Sequence, residues 1–408
     1  MRRELRIDRL GSRGDGIAKT DDGPVYIPFA LPGETVLADV EGERGLLIEI
    51  LNASPDRQPP PCRHFGACGG CSVQHLAMQP YLDWKRNRIT EALSLEGIAC
   101  EPEPVRVFGP HTRRRAVFAA ERSGRDVRLG FRRASSHDLI AIEECPVLLP
   151  SLETALPVIA EALREILPDG KARIQATMCD NGLDLNIENS GKKLGPITRE
   201  LGRIVENYRI VRITDGDDPL LTIETPKITL CGAEVDLPPQ AFLQACAEAE
   251  AAIAEIAIKA AGKAKKIADL FCGLGAFTFA LAQKARVTAV EIDKTLLGAL
   301  AIAARRAKGR KPITTLARNL ALEPLSFMEL NAFDAVLFDP PRAGALPQAR
   351  ALAKSRVPTV IAVSCNPATF AKDARALIDG GYRLKQITPI DQFVFSGHVE
   401  LVAVFNKK

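Results

Sequence analysis

A free thiol, two carboxylates and a glycine turn stand at places suited to chemistry on a nucleoside. Cys365 follows the apolar run Thr359 to Val363 and precedes Asn366-Pro367. That position puts its thiol on a loop rather than in a core, the usual place of a free cysteine, and makes it a candidate nucleophile. Asp339 ends another apolar run, and Pro340 and Pro341 stiffen the loop behind it. The segment Asp269-Leu-Phe-Cys-Gly-Leu-Gly275 sets Gly273 and Gly275 after a run that reads as a buried strand. Glycines there let the backbone approach a ligand lying beyond the strand's carboxyl end. About twenty residues later Glu291 ends the next such run, the distance at which a βαβ unit delivers a carboxylate to ribose hydroxyls. The third glycine of the dinucleotide fingerprint is missing, so S-adenosylmethionine is expected rather than a nicotinamide. Cys272 lies inside the turn and is read as packing against that cofactor.

A second constellation is made of cysteines. Cys62, Cys68 and Cys71 are separated by five and two residues, and Cys145 stands far along the chain. Four thiolates suit either zinc or a [4Fe-4S] cluster. His64 and His75, which stand among them, are read as loop residues. Two basic runs, His111 to Arg115 with Arg113 and Gly130 to Arg133 with Arg132, concentrate charge that the whole chain lacks.

The elements that must hold these residues fall into three parts. Residues 1–54 alternate short apolar runs with glycines and read as a small antiparallel barrel. Residues 55–236 read as an α+β domain, with strands at Val127 to Phe131, Leu183 to Ile187 and Leu221 to Ile223 and a helix over Leu152 to Ile166. Residues 237–408 open with a helix over Ala241 to Lys259. They then alternate helices with the runs Lys266 to Phe271, Val287 to Ile292, Ala335 to Phe338 and Thr359 to Ser364, which predicts a doubly wound parallel sheet. The fold class is α/β.

Composition narrows the classes. A chain of 408 residues is too long for one small module, and 46% hydrophobic with 25% charged residues fits neither disorder nor a membrane protein. A formal charge of +4 confines any nucleic-acid footprint to local patches. The start lacks the apolar segment of a signal peptide, so a cytoplasmic location is expected, where ten cysteines are unlike a disulfide framework.

Taken together, Asp269-Leu-Phe-Cys-Gly-Leu-Gly275, Asp339-Pro-Pro-Arg-Ala-Gly344, Ser364-Cys-Asn-Pro367 and His398-Val-Glu400 resemble the motifs of the class I RNA 5-methyluridine methyltransferase family. The resemblance implies a Rossmann-like methyltransferase domain, an N-terminal TRAM barrel and a central domain carrying an iron-sulfur loop. It implies S-adenosylmethionine as cofactor and RNA as partner, with Cys365 adding to uracil C6 and Glu400 removing the C5 proton. Gln244, Phe271, Glu291, Asn319 and Asp339 would line the cofactor and target-base pocket. Spacing and the Cys145-Pro-Val-Leu148 segment match the family's [4Fe-4S] ligands, so Cys62, Cys68, Cys71 and Cys145 would hold that cluster. Arg113 and Arg132 would contact RNA around an extruded base, although Thr112 stands where the family has a tyrosine. The cluster motif and the barrel point to 23S rRNA, since tRNA-type relatives generally lack both. The chain is expected to act as a monomer and without a membrane.

Two rivals belong to other classes. An amino methyltransferase of adenine or cytosine would carry an aromatic after Asp-Pro-Pro, where this chain has Arg342. A non-catalytic RNA-binding iron-sulfur protein would not need both Cys365 and Glu400.

Overall fold

The structure is a computed structural model that describes residues 1–134, 136–189 and 193–407. Six strands, Arg2–Arg6, Arg9–Leu10, Gly16–Thr20, Gly23–Ile27, Thr35–Glu41 and Arg44–Asn52, form one N-terminal sheet, ordered first, fifth, sixth, fourth, third, second. Its two outermost strands are consecutive in sequence, so the short link between them curls the sheet round a core of Leu5, Ile7, Val25, Ile27 and Val36.

The second sheet runs in the order Leu139–Ala141, Asp126–Arg132, Arg115–Ser123, Gly170–Cys179, Gly182–Asn189, Ile210–Asp215, Asp218–Thr222. All of its pairs are antiparallel except Gly182–Asn189 with Ile210–Asp215, which are joined through the helix Arg199–Asn207. The expected helix over Leu152 to Ile166 is two helices, Pro150–Thr154 and Leu156–Ile166. Pro157 has no N–H to continue the first and is accommodated in the opening turn of the second.

The third sheet has eight strands, ordered Ile313–Ala317, Arg286–Glu291, Lys266–Leu270, Ala335–Phe338, Thr359–Ser364, Glu400–Lys407, Tyr382–Asp391, Arg106–Val107. The first five are parallel, four of them the runs whose alternation predicted it and Ile313–Ala317 an unpredicted edge, and Glu400–Lys407 is antiparallel to both neighbours. The chain starts at the centre, moves outward to Ile313–Ala317, then crosses back to Ala335–Phe338. The resulting switch point lies between the strands ending in Leu270 and Phe338, where open α/β sheets bind ligands. The helix expected from Ala241 begins only at Ala247, capped by the Cys246 side chain. Residues 241–246 are thereby left out of the helix, and Gln244 is free to face the sheet edge.

The helix Met78–Leu95 lies in the range expected for the central domain but packs elsewhere. Its Ile89 and Leu93, with Ile98, share a core with Leu270, Phe338, Phe370 and Phe405 of the third sheet, and Arg106–Val107 adds a strand to that sheet. No helix among the described residues is long and apolar enough to cross a membrane.

Candidate active site

One cavity of about 930 Å³ opens at the switch point and extends to the cysteine loop. It is lined at one end by Phe271, Gly273, Glu291 and Asn319, in the middle by Gln244, Asp339, Cys365 and Glu400, and at the far end by Arg113 and the four cysteines Cys62, Cys68, Cys71 and Cys145.

At the first end the polar atoms are mostly main chain. Phe271 turns the chain off its strand with φ 61°, a conformation that costs a non-glycine residue about 1–3 kcal/mol. Gly275 follows at φ 92°, a left-handed conformation that favours glycine, and a Cβ there would stand 2.7 Å from Leu300 Cδ1 on the helix Lys294–Arg306. The Glu291 carboxylate accepts N–H bonds from Gly273 at 3.1 Å, Ile292 at 2.7 Å and Asp293 at 3.2 Å. Three amides fix its orientation and leave about one of its four lone-pair sites free toward the cavity. Asn319 accepts from the amides of Ala321 and Leu322 at 3.1 and 3.3 Å, which shapes the loop that closes this end. Beneath it Asp269 is wholly buried and receives the Thr278 hydroxyl at 2.5 Å; burial pushes it up to about 7, against that bond. Cys272 is buried in a cluster with Leu274 and Phe279.

The middle is a relay of side chains. Gln244 Nε2 donates to Asp339 Oδ2 at 3.2 Å, and Gln392 Nε2 donates to Gln244 Oε1 at 2.8 Å and to Glu400 Oε2 at 2.9 Å. Glu400 Oε1 is buried with no partner. Burial, reinforced by Asp339, raises Glu400 well above the usual carboxylate range, and burial lifts Asp339 to about 7 despite the Gln244 bond. The Cys365 thiol is pushed up to about 11 by burial and by the charges of Glu400 and Asp339, with Arg342 pulling the other way. Its loop is fixed locally: Asn366 caps the helix Pro367–Asp379 by accepting from Ala368 N at 3.1 Å, and its amide donates to the Arg342 carbonyl at 3.0 Å. The Ser-Cys-Asn-Pro and Asp-Pro-Pro-Arg loops are thus tied together. His398 meets Arg342 Nη2 through Nδ1 at 3.2 Å; desolvation and the cations Arg342, Lys85, Arg88 and Arg113 hold its imidazole down at about 4, so it is neutral at neutral pH.

At the far end salt bridges bring distant cysteines to a common wall. Arg63 reaches Glu143 at 3.2 Å and Glu144 at 3.1 Å, which draws Cys62 toward Cys145, while Gly69 N donates to the Arg132 carbonyl at 2.9 Å. The Gly70 amide donates to Cys68 Sγ at 3.4 Å. Burial, with Cys145, Cys68 and Cys62 nearby, lifts the Cys71 thiol to about 12. The donor set is all sulfur and shares one face, as an iron-sulfur ligand set would. Among the described residues no three His, Cys, Asp or Glu side chains converge closely enough for a single metal ion. His75 is buried against the rings of Phe29 and Phe65.

The two arginines expected at RNA differ. Arg113 lines the cavity, bonded through Nε to the Arg115 carbonyl at 3.0 Å. Arg132 is outside it, 3.8 Å from Glu121. Sequence reasoning missed Gln392. It follows Tyr382–Asp391, a strand parallel to the Cys365 strand whose carboxyl end meets the same sheet edge, so recognising that strand would have found it.

Residues 233–408 match a family model described as tRNA (uracil-5-)-methyltransferase, and residues 2–42 match the TRAM domain. An uncharacterized RNA methyltransferase of Brucella suis is 44% identical over 405 residues, 99% of this chain and 98% of that protein. A 23S rRNA (uracil(1939)-C(5))-methyltransferase of Vibrio vulnificus is 30% identical over 427 residues, 99% of this chain and 96% of that protein. The Pyrococcus abyssi tRNA (uracil-54, C5)-methyltransferase, solved with S-adenosyl-L-homocysteine, superposes with a TM-score of 0.78 at 22% identity, covering 99% of this chain and all of that one. This last likeness is one of fold.

Proposed function

The chain belongs to the RNA uracil-C5 methyltransferase family, and from that membership we propose that it forms 5-methyluridine in 23S rRNA, as a monomer, by covalent catalysis through Cys365. The observation that carries the reading is the convergence of Cys365, Asp339 and Glu400 on one cavity with the Glu291 cradle. Uracil C5 is too weak a nucleophile to attack a sulfonium unaided. Addition of the Cys365 thiolate to C6 places an electron pair on C5 as an enolate. Bound S-adenosylmethionine would supply the electrophilic methyl group, and Glu291, the glycine turn of Gly273 and Gly275, Phe271 and Asn319 would hold it. Glu400 then takes the C5 proton, the C5–H electron pair forms the C5–C6 double bond, and the thiolate leaves. Gln244 orients Asp339, and Gln392 orients Glu400. Their amides hold both carboxylates toward the base without adding charge.

The substrate rests on sequence likeness to the Vibrio vulnificus rRNA enzyme over the whole chain. The Pyrococcus abyssi tRNA enzyme is 22% identical against 30% for the rRNA enzyme, and a tRNA substrate is the second reading. Cys62, Cys68, Cys71 and Cys145 would hold a [4Fe-4S] cluster that ties the loop to the cavity wall, with no electron transfer in the reaction. Arg113 would meet the extruded strand inside the cavity and Arg132 the RNA outside it.

Mass spectrometry of nucleosides from mapped rRNA and tRNA fragments, in a strain lacking the gene with and without complementation, tests the reading. Loss of one 5-methyluridine in 23S rRNA is expected. Loss in tRNA would move the substrate, and no loss would overturn the activity.

A further inference from the structure

The turn between Tyr382–Asp391 and Glu400–Lys407 carries Gln392 at its start and leads directly into Glu400. Residues 392–399 include Ser396 and Gly397 and no proline; the Ser396 hydroxyl donates to the Phe393 carbonyl at 2.8 Å, and the Ser72 and Val73 amides donate to the Phe395 carbonyl at 2.9 and 3.1 Å. A helix some three hundred residues earlier adds buried side-chain contacts at both ends of the turn. Lys85, with 0% side-chain exposure, directs its ammonium group at the turn: Asp391 Oδ1 at 2.8 Å, the Phe393 carbonyl at 3.2 Å, and the His398 carbonyl. Those three acceptors match its three donors. Tyr81, one helical turn earlier on the same face, donates to Asp391 Oδ2 at 2.6 Å and accepts the Phe395 N–H at 3.1 Å. Two side chains thus hold the turn at four residues, from its first to the one before Val399. The helix that bears them is anchored in turn by Ile89 and Leu93 in the core of the same sheet.

A buried ion pair is weak ground for stability, because desolvation offsets the attraction, and apolar replacements of similar volume often match it. An apolar pair could not hold two main-chain carbonyls of a turn. We propose that Lys85 and Tyr81 are positioning residues for the proton-removal step: they fix the turn of residues 391–399 so that Gln392 and Glu400 meet the target C5. The proposal rests on the reading of Glu400 as proton acceptor. Its consequence is selective. Cys365 and Asp339 lie on loops of other strands that this helix does not bond, so adduct formation and methyl transfer persist when the clamp is cut, while release of the methylated base slows.

The test uses the full chain, 23S rRNA from a strain lacking the gene, and S-adenosylmethionine, comparing Lys85→Met, Tyr81→Phe, the double variant Lys85→Met/Asp391→Leu, and Glu400→Gln. Denaturing gels read the protein–RNA adduct, nucleoside analysis reads 5-methyluridine release, and thermal melting reads stability. The expected result is adduct accumulation in Lys85→Met with release slowed on the order of a hundredfold, since a misplacement of about 1 Å costs that much, and a smaller slowing in Tyr81→Phe. The double variant regains melting temperature and keeps the slow release, which covers the case in which Lys85→Met alone does not fold. Adduct and release falling together, or release recovering with stability in the double variant, overturns the proposal. If Glu400→Gln accumulates no adduct, the reading of Glu400 falls and this proposal with it. If Glu400→Gln accumulates adduct and the folded double variant does not, the positioning role alone is wrong.

Discussion

The cofactor end and the base end of the cavity are built on opposite plans. Glu291 is held by three backbone amides, all within one βαβ unit, so its geometry follows from the fold. At the base end Gln244, Asp339, Gln392 and Glu400 come from separate segments and are linked through side chains, while Cys365 stands beside them on a loop of its own strand. Charge differs as well. The base end buries two carboxyls and a thiol together, and each negative charge raises the neighbours. That end gains from a cation, which the sulfonium of bound cofactor would supply. Binding at one end therefore prepares chemistry at the other, while the contacts that do the binding stay independent.

Removing the thiol breaks the comparison most completely. In Cys365→Ala the formation of 5-methyluridine falls by on the order of 10⁴-fold or more, and titration calorimetry finds S-adenosylmethionine affinity unchanged within about twofold. The converse change is Glu291→Ala. It lowers cofactor affinity by about 10–100-fold, the worth of roughly 1.5–3 kcal/mol in hydrogen bonds to a charged group. At saturating S-adenosylmethionine its turnover stays within a few-fold of the parent, which steady-state kinetics at two cofactor concentrations will show. An intermediate result comes from Gln392→Leu, which strips Glu400 Oε2 and Gln244 Oε1 of their shared donor. Each buried acceptor left unpaired costs about 1–3 kcal/mol, so turnover drops about 10–100-fold with cofactor affinity intact. The effect of pH is of similar size. With Cys365 at about 11 the thiolate fraction rises about tenfold with each unit of increasing pH below that value, so kcat/KM for RNA rises on the order of a hundredfold between pH 7 and 9. A profile falling over that range would mean that the thiol is not the attacking group.

The same division decides what the sequence reveals. The cofactor end is legible because its parts are neighbours in the chain: a strand, two glycines, a helix, and Glu291 about twenty residues on. Cys365, Asp339 and Glu400 are legible through motifs, each sitting at a strand end. Lys85 and Tyr81 are invisible for a physical reason, since the contacts that define them join residues 306 and 310 positions apart, whereas Gln392 was missed with the strand it follows. The helix that carries Lys85 gives no sign in its own pattern that it packs against the methyltransferase sheet. The strand Ile313–Ala317 was missed because its residues are largely exposed at the sheet edge and include Thr314 and Thr315, so no apolar run marks it. Pro157 explains the split helix and was readable all along.

The central claim is a covalent bond between Cys365 and the target uracil. RNA transcribed with 5-fluorouridine tests it directly, because fluorine at C5 cannot be removed as a proton and the adduct cannot collapse after methyl transfer. After incubation with this RNA and S-adenosylmethionine, followed by protease and nuclease digestion, mass spectrometry should find one methylated fluorouridine on the peptide containing Cys365, and none in Cys365→Ala. An adduct on another residue, or methylated fluorouridine released free of protein, would contradict the account.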